Sequence, residues 1–182
     1  IINGDFQVSQ RGDYTTATTI AVNSYYLDRW ENWSASSNPT IQQVSTSQPV
    51  AYGSKSLKMV ATSTATADLR SVQKLEEPSR LKGRTITASA WVKTNSSNCR
   101  MYFYIDGYLA STETPAITAD GNWQYVTLTI TVTSSAITDF ALVIGVDGSA
   151  SAQVPITTGD YVEFTQVQLE LGSVATDFEH RS

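Results

Sequence analysis

Hydrophobic and polar residues alternate with period two along most of this chain. In Ile86, Ala88, Ala90 and Val92 the apolar side chains point one way, while Thr87, Ser89, Trp91 and Lys93 point the other. That pattern predicts a half-buried strand. The next run places Met101, Phe103 and Ile105 inward and Arg100, Tyr102, Tyr104 and Asp106 outward. After the turn Asp120-Gly121-Asn122, the residues Val126, Leu128, Ile130 and Val132 alternate with Trp123, Tyr125, Thr127, Thr129 and Thr131. Further strands are expected over 56–61, 68–75, 140–146 and 161–171, divided by clusters of Gly, Pro, Asn and Ser. Seven or more short strands so punctuated predict an all-β antiparallel sandwich. The Ser/Thr-rich stretch 62–66 reads as a loop. Alternation stops after 171, so 172–182 is expected to leave the sandwich as a tail or a linker to a flanking domain.

Composition narrows the picture. At 182 residues the chain fits one domain. Four Trp, nine Tyr and five Phe rule out a disordered tail, and the lack of helical spacing rules out a helical bundle. Charged residues make up 16%, and the net charge is -5 with twelve basic residues that form no cluster. Counterion release at a polyanion needs clustered Lys and Arg, so nucleic acid is not an expected partner. No apolar run approaches the roughly 20 residues of a membrane-spanning helix, and membrane insertion is not expected. The opening IINGDFQVSQ has neither an initiator Met nor a basic segment leading into an apolar one, as in an excised or processed fragment. A lone Cys99 forms no internal disulfide, and with a single His180 it gives no soft ligand set for zinc or iron.

Several phrases, in order along the chain, resemble a known group. They are Asn3-Gly4-Asp5-Phe6 with Gln10-Arg11-Gly12, Leu27-Asp28-Arg29-Trp30, Gln73-Lys74-Leu75-Glu76 with Leu81-Lys82-Gly83-Arg84, Ser89-Ala90-Trp91-Val92-Lys93, Gly121-Asn122-Trp123, and Val167-Gln168-Leu169-Glu170 with the Gly172–Thr176 stretch and Phe178-Glu179. Together they resemble domains of bacteriophage tail-fibre and related virion proteins, which are similar to jelly-roll carbohydrate-binding modules. The resemblance implies one jelly-roll domain over 1–171, located on the phage particle. It also implies recognition of a host-surface glycan, with other virion proteins as partners and a homotrimeric fibre as the assembly. The alternative it leaves open is a structural or decorating virion domain that binds no sugar. Trp30, inside a shared phrase, is expected to anchor the core.

Sugar binding can be weighed on the residues themselves. A pyranose has an apolar face that stacks on aromatic rings and a hydroxyl rim that takes Asp, Asn, Gln, Arg or Lys, so a binding strand should alternate such residues on its solvent face. Arg100, Tyr102, Tyr104 and Asp106 meet that description. Trp91, Trp123 and Tyr125 extend the same surface if their strands lie nearby. No cofactor is required for this function. Related modules hold a structural calcium between the N-terminal segment and the last strand, which here would draw on Asn3, Asp5, Glu163 and Gln166. The late strand, however, reads Phe164-Thr165-Gln166-Val167 where those modules place consecutive acids, and calcium takes six to eight oxygens.

Catalysis is not expected. The only histidine sits in the tail, a poor place for a general base. The acids Asp106, Glu113, Asp139, Asp147 and Glu163 read as solvated loop residues rather than a glycosidase pair. Arg11-Gly12-Asp13 extends a shared phrase by chance. Asn32-Trp33-Ser34 and Asn95-Ser96-Ser97 fit the glycosylation pattern, which is silent in a phage protein.

Overall fold

A computed structural model describes residues 4–34, 38–45, 55–106, 108–133, 137–147 and 153–179. In chain order the strands among them are β1 (Thr18–Thr19), β2 (Ser24–Tyr25), β3 (Trp30–Asn32), β4 (Thr40–Ser45), β5 (Lys55–Val60), β6 (Ala65–Ala67), β7 (Leu69–Lys74), β8 (Thr85–Thr94), β9 (Cys99–Ile105), β10 (Tyr108–Glu113), β11 (Gln124–Thr131), β12 (Phe140–Val146), β13 (Val154–Ile156) and β14 (Tyr161–Leu171). One 3-10 turn, Pro78–Leu81, precedes β8, and no α-helix occurs among the described residues.

Two six-stranded sheets face each other, the first in the order β1-β4-β5-β14-β8-β11 and the second in the order β10-β9-β12-β7-β3-β2. All pairings are antiparallel. Successive long strands change sheets: β7, β9 and β12 lie in the second, β8, β11 and β14 in the first. Each crossing turns the apolar side of the strand toward the same interior, which makes the fold a jelly-roll β-sandwich.

The predicted alternation is what fills that interior. Ile86, Ala88, Ala90 and Val92 of β8 are fully buried, and so are Met101 and Phe103 of β9 and Leu142 and Ile144 of β12. Trp30 is fully buried, as expected of a core anchor, and its ring centroid lies 5.3 Å from Phe6 and 5.4 Å from Phe164. Burying each of the larger aliphatic side chains contributes about 1.5–3 kcal/mol before the entropy of ordering it is counted.

Three features depart from the sequence reading. Ala65 and Thr66, expected in a loop, belong to β6, which pairs with β13 in a two-stranded ribbon. Within β14 the inward residues are Val162 and Phe164 before Gln166, but Val167 and Leu169 after it. The switch of parity is a β-bulge: the register to β8 shifts between Thr165 and Gln168, and Gln166 has a left-handed φ of 51°. Finally, the chain does not leave the sandwich directly after β14. The Gly172 amide donates to the Thr85 carbonyl at 2.8 Å, and the following residues double back along the outer side of the first sheet. The Thr176 amide and hydroxyl donate to the two oxygens of Glu170 at 2.9 and 2.5 Å, and the Glu179 amide donates to Gln168 Oε1 at 2.8 Å. This strap ends where the N-terminal segment docks, with the Val167 amide donating to the Gly4 carbonyl at 2.9 Å and Phe178 packed against Gly4.

Candidate functional site

The outer face of the second sheet carries one half of the predicted site. Across β12 its outward positions are Ala141, Val143 and Gly145, which oppose Tyr104, Tyr102 and Arg100 on β9 and Lys74, Val72 and Arg70 on β7. The small outward residues of β12 are covered by the side chains on either side of them. Two rings stand at the Ala141 end of this strip. Tyr104 meets Trp33 edge-on with centroids 5.5 Å apart, both half-buried, and Lys74 caps Trp33 with its ammonium 4.9 Å from the ring centre. Lys74 also pairs with Glu31 at 3.3 Å.

Tyr102 departs from expectation. It does alternate outward from Met101 and Phe103, but it is 1% exposed and packs with Val72, Ala141 and Val143 in a second apolar cluster. Its hydroxyl donates to Asp147 Oδ2 at 2.6 Å. Burial follows from the small outward residues of β12, which let the ring lie down over them instead of standing in solvent. The same carboxylate oxygen lies 3.8 Å from Arg70 Nε, and Arg70 forms a close pair with Asp68. Burial works against the charge on this guanidinium, yet the hydrogen bond and charge of Asp68, together with Tyr102 and Asp147, raise its pKa above the ordinary value. Arg100 pairs with Glu113 at 3.2 Å. Asp106 sits in a left-handed turn after β9, where its Oδ1 accepts from the Thr138 and Asp139 amides at 2.7 and 3.0 Å. It therefore holds a loop together.

Trp91, Trp123 and Tyr125 are brought together, but on the other outer face of the sandwich. The expected continuity with Arg100, Tyr102 and Tyr104 is lost because β8 and β11 lie in the first sheet and β9 in the second. Tyr125 is the cross-strand partner of Trp91, with ring centroids 5.3 Å apart, and it is 46% exposed. Lys93 lies 4.8 Å over the Trp123 ring and pairs with Glu163 at 3.0 Å.

That pairing bears on the expected calcium. Glu163 Oε1 accepts from the Ser56 hydroxyl at 2.6 Å while Oε2 holds Lys93, so both oxygens are committed to the outer face of the first sheet. Asp5 and Gln166 do come close in the chain trace, each beside one end of the Gly4–Val167 hydrogen bond. Asn3 lies outside the described residues. Among the described residues no group of three or more His, Cys, Asp or Glu side chains converges on one point. With Glu163 so engaged, Asp5 and Gln166 are the described donors left for the expected calcium, which takes six to eight oxygens.

Sequence reasoning missed Trp33, Lys74, Arg70 and Glu113. Trp33 was visible only inside a glycosylation pattern, although its parity with Glu31 on the outward side of β3 was the usable signal. The acceptor of that pattern, Asn32, is fully buried, and its amide donates to the Ile20 and Ala21 carbonyls at 3.0 and 3.1 Å. The carboxylates considered for catalysis are spread out: Asp147 and Glu113 lie with arginines at the second sheet and Glu163 on the first.

No protein-family model matches the chain, and no curated protein does. Solved structures do. The fold is similar to the enzymatically active domain of tailspike protein 4 from bacteriophage CBA120, at 14% identity and a TM-score of 0.57, over 79% of this chain and 19% of that one. It is also similar to the CBM22-2 xylan-binding domain of Paenibacillus barcinonensis Xyn10C, at 15% identity and a TM-score of 0.55, over 80% of this chain and 93% of that domain. The chain thus spans about one fifth of the tailspike and nearly all of the binding module. At these identities the likeness is one of fold, the jelly-roll sandwich that both share with this chain.

Proposed function

We propose that this domain binds carbohydrate without catalysis, through the outer face of its second sheet, as a host-recognition element of a phage virion. One observation carries the reading: the half-buried edge-on pair of Trp33 and Tyr104, with Lys74 and Glu31 beside Trp33 and the Arg100–Glu113 pair farther along the same face of β9. Rings supply the stacking surface for a pyranose and the neighbouring charged groups supply donors and acceptors for its hydroxyls. The fold likeness to a xylan-binding domain and to a phage tailspike domain agrees with both parts of the proposal.

A glycan array probed with the labelled protein, repeated with Tyr104→Ala and Trp33→Ala, tests it. Each substitution is expected to weaken a bound glycan by about 1–3 kcal/mol, the range of a central anchor. Unchanged binding by both variants sinks the site, and a blank array with the parent protein sinks the function. The burial of Tyr102 favours a second reading, a structural virion domain in which this face packs against another subunit. A trimer in sedimentation velocity that Tyr104→Ala converts to monomer would establish that reading in place of the first.

A further inference from the structure

The outer face of the first sheet has features the proposed groove does not use. Along β11 the outward residues run Trp123, Tyr125, Thr127, Thr129 and Thr131, about 27 Å from end to end at the usual rise of an antiparallel strand. Beside them on β8 run Lys93, Trp91, Ser89, Thr87 and Thr85 in register. The far end is hydroxylic: Thr85 and Thr131 meet at 3.0 Å, and Thr87 and Thr129 at 2.8 Å. The near end is aromatic, with Tyr125 and the half-buried Trp91 and Trp123. Along the inner side of this strip the strap from Gly172 to Glu179 forms a wall, fixed where the Thr87 hydroxyl donates to the Gly172 carbonyl at 2.8 Å. Thr87 and Ser89 are nearly fully buried on this side, whereas Thr127, Thr129 and Thr131 stay exposed. A floor with one wall is a ledge.

Charge decides what suits it. Among the described residues of β8 and β11 on this strip the one ionic group is Lys93, which Glu163 neutralises, while the strap side carries the acids Glu170, Asp177 and Glu179. A polyanion finds no unpaired cation on β8 and β11 and meets the acids of the strap. Exposed rings followed by a row of hydroxyls suit an extended, uncharged chain with alternating apolar faces and hydroxyl rims. We propose that this ledge is a second carbohydrate site, separate from the Trp33–Tyr104 groove and on the opposite side of the sandwich, for a neutral polysaccharide. It does not depend on the groove binding sugar.

Native electrophoresis in gels containing soluble xylan, galactomannan, mixed-linkage β-glucan or the anionic alginate would test it, using the whole chain. Four proteins are compared: the parent, the ledge variant Trp91→Ala/Tyr125→Ala, the groove variant Trp33→Ala/Tyr104→Ala, and the combination. The groove variant is expected to remain retarded by at least one neutral polysaccharide and not by alginate. Adding the ledge substitutions should weaken that retardation by about tenfold or more, one decade being about 1.4 kcal/mol. Thr129→Arg, at an exposed position on the track where its hydroxyl meets that of Thr87, should weaken it as well and covers the case in which Trp91→Ala fails to fold. A parent that is retarded beside a groove variant that is not would overturn the ledge and leave the groove. A ledge variant stripped of all retardation, with the groove intact, would instead remove the groove. If Tyr125→Ala abolishes self-association without touching retardation, the strip is an interface between copies and the proposal falls.

Discussion

Replacing Tyr102 by Phe removes one oxygen from a buried network and leaves the ring. The lost bond is the 2.6 Å donation to Asp147, a fully buried carboxylate beside Arg70. Hydrogen bonds to charged groups contribute about 1.5–3 kcal/mol, so the substitution should destabilise the domain by about 2 kcal/mol. For a chain of this length that is a drop in Tm of about 4–8 °C. Tyr102→Ala also empties the space over Val72, Ala141 and Val143 and should cost about 3–5 kcal/mol, a large part of the stability of an ordinary domain. Tyr104→Ala, at the half-exposed position two residues on, should cost far less. Urea denaturation followed by tryptophan fluorescence measures all three, and a cycle with Asp147→Asn isolates the pairwise coupling. An unchanged midpoint for Tyr102→Phe at an unchanged m-value would refute the argument, and so would equal losses for Tyr102→Ala and Tyr104→Ala.

Gly145→Ala should destabilise by roughly 3 kcal/mol in the same assay, at the upper end of overpacking, because the added carbon would fall 2.0 Å from the Leu69 carbonyl oxygen and 3.0 Å from Arg70 Cα, backbone atoms that cannot rotate away. Burial pushes the Cys99 thiol up to about 12 from 9.0. The folded value lies above the unfolded one, so this contribution is complete below pH 9 and is lost as pH rises toward 12; iodoacetamide at pH 8 should label the thiol only on unfolding, and rapid labelling of native protein would contradict its burial. Glu170→Ala should free the strap at a cost of about 1 kcal/mol, seen as faster hydrogen exchange at the Thr176 and Glu179 amides with exchange in β8 unchanged.

Strands in which apolar residues alternate with polar or aromatic ones were legible from the sequence, because a single apolar side facing the core imposes period two. That is why β8, β9 and β11 were found with their inward sets correct. β12 was found as an apolar run, but its seven residues are buried on both sides, so periodicity said nothing about its outer face. The small outward residues Ala141, Val143 and Gly145 are what lay Tyr102 down, and no property of β9 itself reports them. The aromatic candidates divided between two faces for a similar reason: alternation gives the side of a strand, while sheet membership depends on pairing between residues far apart in the chain. The bulge at Gln166 hid in the same way, since one extra residue reverses the parity of everything after it.

The docking of both ends at one bulge has a mechanical consequence. Tension applied between Gly4 and Glu179 enters and leaves the molecule at neighbouring points, so the sandwich lies beside the load path instead of within it. The strap would peel from its Glu179 end, first at Gln168, then at Glu170, and last at Thr85 and Thr87, one contact at a time. Through that sequence both sheets keep their pairings. A domain pulled this way gives slack before it gives up its fold.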